Sequence, residues 1–490
     1  MNSSIVRYTL GQVLKVEAAL LLLPCFVAIA YREKTGYCFL IIALICGFLG
    51  FGMSLLKPAS NVFYLKEGCI ITSLSWIFLS FFGCLPFYIS GEIPSLTDAL
   101  FETISGFTTT GASILSEVEY LSRCMTFWRC FTHWVGGMGV LVFLLAIIPI
   151  GGGSQINLMK AESPGPSVGK LVPRIRSTAR ILYIIYFALT VIEIIFLLFG
   201  GMPLFDSVCT ATATAGTGGF GIKNDSFTSY SPYLQWVVSV FMILFGVNFN
   251  AYYLVLYKQI KKAITMEEVV HYFLIIAIAV GIIFTRLVGT YQYASDALRD
   301  TVFQVASIIT TTGFSSVDFD KWPAVCQTVL VFLMFIGACA GSTGGGIKVS
   351  RLIILRKTII KEMISYVHPK SIKKIKMDDK PVEHEVVRAT NVFFVTFVIV
   401  FSLSVLLISI DGNDLVTNFT AVAATINNIG PGLSMVGPTS NFSHFSPVSK
   451  YILMFDMLAG RLELFPMLML FHPKLWKEMF AHYLHKFAKK

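Results

Sequence analysis

Four short strips of glycine and small oxygen-bearing residues mark where this chain could do chemistry: Thr108-Thr-Thr-Gly-Ala-Ser113, Gly216-Thr-Gly-Gly-Phe-Gly221, Thr310-Thr-Thr-Gly-Phe-Ser315 and Asn427-Asn-Ile-Gly-Pro-Gly432. A cation that sheds its hydration water needs oxygens in its place, and rings of backbone carbonyls supply them. Glycine reaches the positive-φ conformations that turn carbonyls inward, and Thr and Asn add side-chain oxygens without fixed charge. The chemistry is coordination of a passing cation rather than bond-making. No paired carboxylates, nucleophile elbow or metal-binding helix supports an enzyme.

The strips are in register. Asp98 to Gly111, Asp206 to Gly219, Asp300 to Gly313 and Thr417 to Gly430 align without gaps, each opening on a residue with a short oxygen-bearing side chain. Asp or Thr there suits a helix start, whose exposed N–H groups take a side-chain oxygen. The ten or so residues that follow make roughly 15 Å of helix, half a bilayer, so each strip must turn back toward its own side. Non-helical backbone at that depth costs several kcal/mol per unmet group unless it faces protein or water. Four such strips argue for one shared aqueous axis, at which the half-helices aim their partly negative C-terminal ends.

The elements that hold the strips follow from composition. Of 490 residues, 55% are hydrophobic and 13% charged, so a membrane is the natural solvent. Apolar runs long enough to cross number about ten. Two, near 14–31 and 38–56, form an N-terminal hairpin. The rest pair as 69–90 with 127–150, 181–199 with 231–257, 270–290 with 325–355, and 389–410 with 446–471, each pair bracketing one half-length segment. The expected fold is an all-α polytopic membrane protein: a two-helix hairpin (1–66), then four helix/pore-loop/helix repeats (67–160, 161–265, 266–365, 366–490) in pseudo-fourfold arrangement around one pore. The first apolar run, opened by Glu17 and closed by Arg32, Glu33 and Lys34, reads as a retained helix rather than a secretory leader.

A net charge of +10 need not mean nucleic acid, because the basic residues sit in short segments between spans. Lys160 to Arg180, Lys258 to Lys262 and Arg351 to Arg388 place both termini inside, at the cytoplasmic (inner) membrane. The opposite segments carry Glu92, Asp98, Glu102, Glu117, Glu119, Asp225, Asp318, Asp320, Asp411 and Asp414, which would concentrate cations on the outer face. The ten cysteines occur singly, with no zinc spacing and no disulfide framework.

Two features lie beyond the strips. Gly337-Ala-Cys-Ala-Gly-Ser-Thr-Gly-Gly-Gly346 should break the third inner helix at mid-membrane depth. It is no phosphate loop, since Ile347 follows Gly346 where Lys would stand. Arg461 falls inside the last apolar span and should face protein interior or water, either as a functional group or paired with Asp456 or Glu463. Glu193 is a weaker functional candidate. His133 and Trp134, near the start of an inner helix, read as packing groups.

Over essentially its whole length the chain resembles the TrkH-type subunits of the Trk/Ktr/HKT superfamily of K⁺ transporters. The stretches that carry the resemblance are Thr108 to Ser113, His133-Trp-Val-Gly-Gly-Met-Gly139, Thr310 to Ser315, Asn427-Asn-Ile-Gly-Pro-Gly-Leu433 and Gly460-Arg-Leu-Glu-Leu-Phe-Pro466. The resemblance implies a K⁺ filter of one glycine per repeat, Gly111, Gly219, Gly313 and Gly430, lined also by the carbonyls of Thr110, Gly218, Thr312 and Ile429. In repeat 2 the run of glycines leaves a one-residue shift open. A glycine rather than a serine at 111 goes with K⁺ over Na⁺ in the superfamily. The family likeness further implies an intramembrane gate loop including Gly344, Gly345 and Gly346, a gating Arg461, a homodimer in the lipid bilayer, and a cytosolic nucleotide-binding Trk-type regulatory subunit. The resemblance implies K⁺ as the transported ion, and no organic cofactor is expected in this chain. Flow is either channel-like or coupled to another ion. The runner-up is a secondary transporter for another cation, Na⁺, or a small solute, whose inverted repeats would place alternate repeats in opposite orientations.

Overall fold

The computed structural model describes residues 2–58, 64–139, 175–369 and 374–477. Helix α1 (Ser3–Tyr31) begins where the Asn2 side chain accepts the Ile5 N–H at 3.3 Å, and it ends where Arg32 turns left-handed at φ 57°. It starts well before residue 14 because its first turns bury Ile5, Val6, Leu10 and Val13. Glu17 therefore lies mid-helix and fully buried, not at the mouth of the span. Helix α2 (Gly36–Ser54) crosses α1 at Gly11 and Gly50, where a Cβ on either would lie within 2.9 Å or 2.8 Å of the other's carbonyl oxygen. In lipid, van der Waals contact drives helix association, and paired glycines allow the close approach.

Each repeat then supplies an outer helix, a half-length helix and an inner helix. Repeat 1 has α3 (Leu65–Ser90), α4 (Leu96–Phe107) and α5 (Arg123–Gly137). Repeat 2 has α6 (Ile175–Phe199), α7 (Leu204–Ala215), α8 (Pro232–Phe245) and α9 (Phe249–Leu256), followed by the short α10 (Ile260–Ile264). Repeat 3 has α11 (Glu267–Leu287), α12 (Ala294–Ile309), α13 (Ala324–Ile336) and α14 (Val349–Val367). Repeat 4 has α15 (His384–Ile408), α16 (Leu415–Ile426), α17 (Pro447–Arg461) and α18 (Phe465–Met469). The only strands among the described residues are the two-residue pair Lys376–Met377 and Lys380–Pro381.

Six described helices are long and apolar enough to cross a membrane unaided, fewer than the ten runs suggested, because the inner helices are short or broken. A serine side chain caps α8 and α17, each with proline at N1, whereas the first N–H groups of α5, Arg123 and Cys124, bond the Glu33 carboxylate at 2.7 and 2.9 Å. The inner helix expected over 231–257 is bent by 89° between α8 and α9. The expected continuation of α5 to 150, the repeat boundary at 160 and the basic segment from Lys160 as far as 174 lie outside the described residues.

The half-helices start three or more residues earlier than the aligned Asp and Thr suggested. Ser95 caps α4 by accepting the Asp98 N–H at 3.3 Å, and Asp414 caps α16 by accepting the Thr417 N–H at 3.1 Å. Asp98, Asp206 and Thr417 thus sit in first turns, and Asp300 lies deeper because α12 begins at Ala294. The loops after the half-helices are stitched in cyclic order. Val118 donates to Asn224 at 2.7 Å, Phe227 to the Ser315 carbonyl at 2.8 Å, Ser434 to Asp320 at 3.0 Å, and Phe442 to the Ser113 carbonyl at 2.8 Å. Repeat 4 therefore closes back on repeat 1.

Candidate cation pathway

All four half-helices end with one hydrogen-bond pattern. The residue two after the cap donates back to a carbonyl five positions earlier: Thr110 to Ser105 at 2.9 Å, Gly218 to Ala213 at 2.9 Å, Thr312 to Ser307 at 2.8 Å and Ile429 to Ala424 at 2.8 Å. This bond follows a left-handed residue, as in a Schellman ending. The left-handed residues are Thr109, Thr217, Thr311 and Asn428, with φ of 55°, 53°, 59° and 57°. Two residues on, the chain turns left-handed again at Gly111, Gly219, Gly313 and Gly430, with φ of 76°, 75°, 87° and 100°. In repeat 2 Gly219, not Gly218, occupies the equivalent backbone position.

These glycines form a closed ring. A Cβ on Gly111 would strike the Gly218 carbonyl oxygen, one on Gly219 that of Thr312, and one on Gly313 that of Ile429. On Gly430 it would lie 2.8 Å from the Thr110 oxygen, completing the circuit. The sequence-derived filter residues are thus all brought together, and each glycine is required by its neighbour's backbone. On one side of the ring lies a cavity of about 140 Å³ whose lining includes the four glycines, Ser113 and Asn441.

On the other side sits the glycine run of repeat 3. Helix α13 stops at Ile336, Gly337 takes φ 73°, and helix resumes at Val349. Gly345 donates its N–H to Thr311 Oγ1 at 2.6 Å and Gly346 to the Asn427 carbonyl at 3.1 Å, so the loop is tucked under strips 3 and 4. A Cβ on Gly344 would lie 2.8 Å from the Thr310 oxygen. Arg461 reaches the loop from α17, donating Nη1 to the Thr343 carbonyl at 2.8 Å and Nη2 to the carbonyls of Gly136 and Gly137 at 2.6 and 2.7 Å. The acids weighed as its partners are engaged elsewhere: Glu463 pairs with Arg351, and Asp456 accepts from Ser404 at 2.7 Å.

Several residues here escaped the sequence. The break in repeat 2 interlocks with the loop of repeat 3: Phe249 donates to the Gly341 carbonyl at 3.0 Å, and Cys339 to that of Gly246 at 3.1 Å. Buried Glu268 ties the two breaks together, accepting from Ala340 N at 2.6 Å, Ser350 N at 3.2 Å and Asn248 Nδ2 at 3.0 Å. Lys348 donates to the Gly344 carbonyl. His133 lies near the end of α5 and does more than pack. Its Nδ1 meets the Gly106 carbonyl at 2.7 Å and its Nε2 accepts the Phe220 N–H at 3.2 Å, joining half-helix 1 to strip 2 as the neutral Nδ1–H tautomer. Two acids assigned to a charged outer face pair with bases on other helices: Glu102 is buried against Arg129 and Asp98 bonds Lys450 at 2.7 Å. An acid within a half-helix or at a span's edge gives little sign of such long-range partners.

A helical membrane protein whose re-entrant strips close a glycine and carbonyl ring belongs to the pore-loop class of ion-translocating proteins. The chain is a member of the TrkH family of cation transport proteins, whose profile matches residues 38–483. It is 35% identical over 488 residues to the "Trk system potassium uptake protein TrkH" of Salmonella typhimurium, covering 98% of this chain and 100% of that protein, and equally to the one of Escherichia coli. The "Trk system potassium uptake protein TrkG" of Escherichia coli is 32% identical, covering 97% of this chain and 100% of its own. The crystal structure of the "Potassium Transporter TrkH from Vibrio parahaemolyticus" superposes with a TM-score of 0.86 at 31% identity, over 97% of this chain and 100% of that one.

Proposed function

We propose that this chain takes up K⁺ across the cytoplasmic membrane as the membrane subunit of a Trk-type system, with its termini inside. The observation that carries the reading is the closed ring of Gly111, Gly219, Gly313 and Gly430 against the carbonyls of Thr110, Gly218, Thr312 and Ile429. An ion stripped of water at this ring meets carbonyl oxygens, and the half-helix C-termini add partial negative charge. Relatives that match 97–98% of the chain are named for potassium uptake, which supports K⁺ over a small organic solute.

Beneath the filter, Gly344, Gly345 and Gly346 act as a gate loop and Arg461 as its latch. A guanidinium held on loop carbonyls sets a positive charge under the ion path and bridges repeats 3 and 1. The chain works as a homodimer in the bilayer, and its basic cytoplasmic segments dock a nucleotide-binding regulatory subunit. The deciding experiment is cation flux into proteoliposomes holding the purified chain under a K⁺ gradient. K⁺ entry should exceed Na⁺ entry by at least about tenfold, a difference of roughly 1.4 kcal/mol in discrimination. Equal or preferential Na⁺ entry would move the assignment to the Na⁺ alternative, and flux of neither ion would overturn it.

A further inference from the structure

The pair Glu102 and Arg129 sets strip 1 against strip 2. Glu102 is on half-helix α4 and Arg129 on inner helix α5, 1% and 3% exposed, with Oε1 and Nε 2.6 Å apart. Both Glu102 oxygens hold the backbone just past Gly111, accepting from Ser113 Oγ at 2.9 and 3.1 Å and from Ile114 N at 3.0 Å. The guanidinium then reaches across the repeat boundary. Its Nη1 donates to the Gly221 carbonyl at 2.8 Å, and its Cζ sits over the Phe220 ring, 3.6 Å from the centroid, just past Gly219.

Among the described residues no other boundary has a Glu–Arg pair at these positions, although Lys450 of α17 and the more exposed Asp98 of α4 pair at 2.7 Å where repeat 4 meets repeat 1. Aligned on the glycines, the counterparts of Glu102 are Thr210, Gln304 and Ala421, and the matching turn of the other inner helices holds Val238, Leu330 and Leu453, all buried. Burying two charges costs several kcal/mol per ion, and well-packed apolar residues often replace such a pair without loss. Stability alone is thus a poor reason to keep a pair with both partners this deeply buried at this boundary. What an arginine fork adds is fixed direction, because it bonds a carboxylate and a carbonyl at once while stacking on a ring.

Resting on the reading of the ring as a filter, we propose that Glu102 and Arg129 are positioning residues that set ion specificity by fixing the separation of strips 1 and 2. The test compares wild type, Arg129→Lys, Glu102→Gln and the apolar double variant E102L/R129M in proteoliposomes, reading K⁺, Rb⁺ and Na⁺ fluxes beside thermal unfolding. Arg129→Lys keeps the charge but loses the fork. Its K⁺/Na⁺ ratio should fall by about fivefold or more, the scale of one ordinary hydrogen bond. The double variant should unfold near the wild-type temperature and still lose discrimination. A wild-type flux ratio in a folded double variant would overturn the proposal, leaving the pair a structural one. Should Arg129→Lys fail to fold, the double variant alone decides. Absence of any cation flux in wild type would overturn the filter reading, and this proposal with it.

Discussion

Thr109, Thr217 and Thr311 hold positive φ although a left-handed L-residue costs roughly 1–2 kcal/mol and β-branching makes it worse. Strain of this kind persists where surrounding structure over-determines it, and here the bond from two residues past each cap does so. The threonines differ in what they return. Thr311 Oγ1 receives the Gly345 N–H, whereas Thr109 Oγ1 has no partner among the described residues. Thr109→Gly should leave the unfolding temperature unchanged or higher, and Thr311→Gly should lower it and loosen the loop; matched melting curves of the two variants check this. The ring glycines should also rank. Gly111→Ser and Gly313→Ser force a neighbouring carbonyl aside and should relax K⁺/Na⁺ discrimination with expression intact, while Gly430→Ala, whose Cβ would clash less closely at 2.8 Å from the Thr110 oxygen, should do so less. Competition flux measures it, and unchanged selectivity in the first two would take these strips out of the filter. The glycines were legible in the sequence because strain and close approach leave few other residue types. Glu102 with Arg129, and His133 with Phe220, were not, since side chains so far apart in sequence leave no local pattern.

The elements were legible where a local rule decides them. Half-length apolar segments and a ten-residue glycine-rich run are visible as such, but the break at Gly246 to Asn248 holds a single glycine. What permits it is tertiary: the loop of repeat 3 meets its freed carbonyl and N–H groups, and Glu268 meets both breaks. Glu268→Ala would leave buried N–H groups unmet, at about 1–3 kcal/mol each, and should raise flux without altering ion preference, as a freed loop and an untouched filter require. Arg461→Ala should act alike, and combining it with deletion of Gly345 should give less than the sum, because both changes release one contact set. Flux per folded protein is the measurement; an unchanged value in Arg461→Ala would make the arginine structural. Cap positions are less legible because the spacing shared by the four strips fixes the C-terminal end of each half-helix and not its start. Bonds from the Thr417 hydroxyl and N–H hold the Asp414 carboxyl below the usual carboxylate range. A depressed carboxylate contributes at neutral pH and is lost as pH falls through its folded value, below the ordinary ~3.9. Asp414→Asn should therefore unfold with less acid sensitivity below pH 4 than wild type.

At the scale of the whole molecule, register suggests a four-repeat plan, while the order in which the four strips meet comes only from the structure. Parallel repeats make a topological prediction: cysteines placed at Glu119, Asp225, Asp318 and Asn441 should label from outside, and those at Lys262 and Lys374 only after permeabilisation. A repeat labelled from the opposite side would favour the inverted-repeat transporter; Lys170, a further inside probe, lies outside the described residues. The circuit also governs how the protein is made. Strip 1 finds its last partner in repeat 4, where Asn428 Nδ2 donates to Thr110 Oγ1 at 3.0 Å across 318 residues and Phe442 bonds Ser113. At a synthesis rate of roughly 5–20 residues per second, the first quarter of the ring waits on the order of half a minute in the membrane with one flank unpaired. A chain released early is then not a weaker transporter but an open-sided bundle with exposed polar backbone, the kind of fragment that membrane quality-control proteases remove.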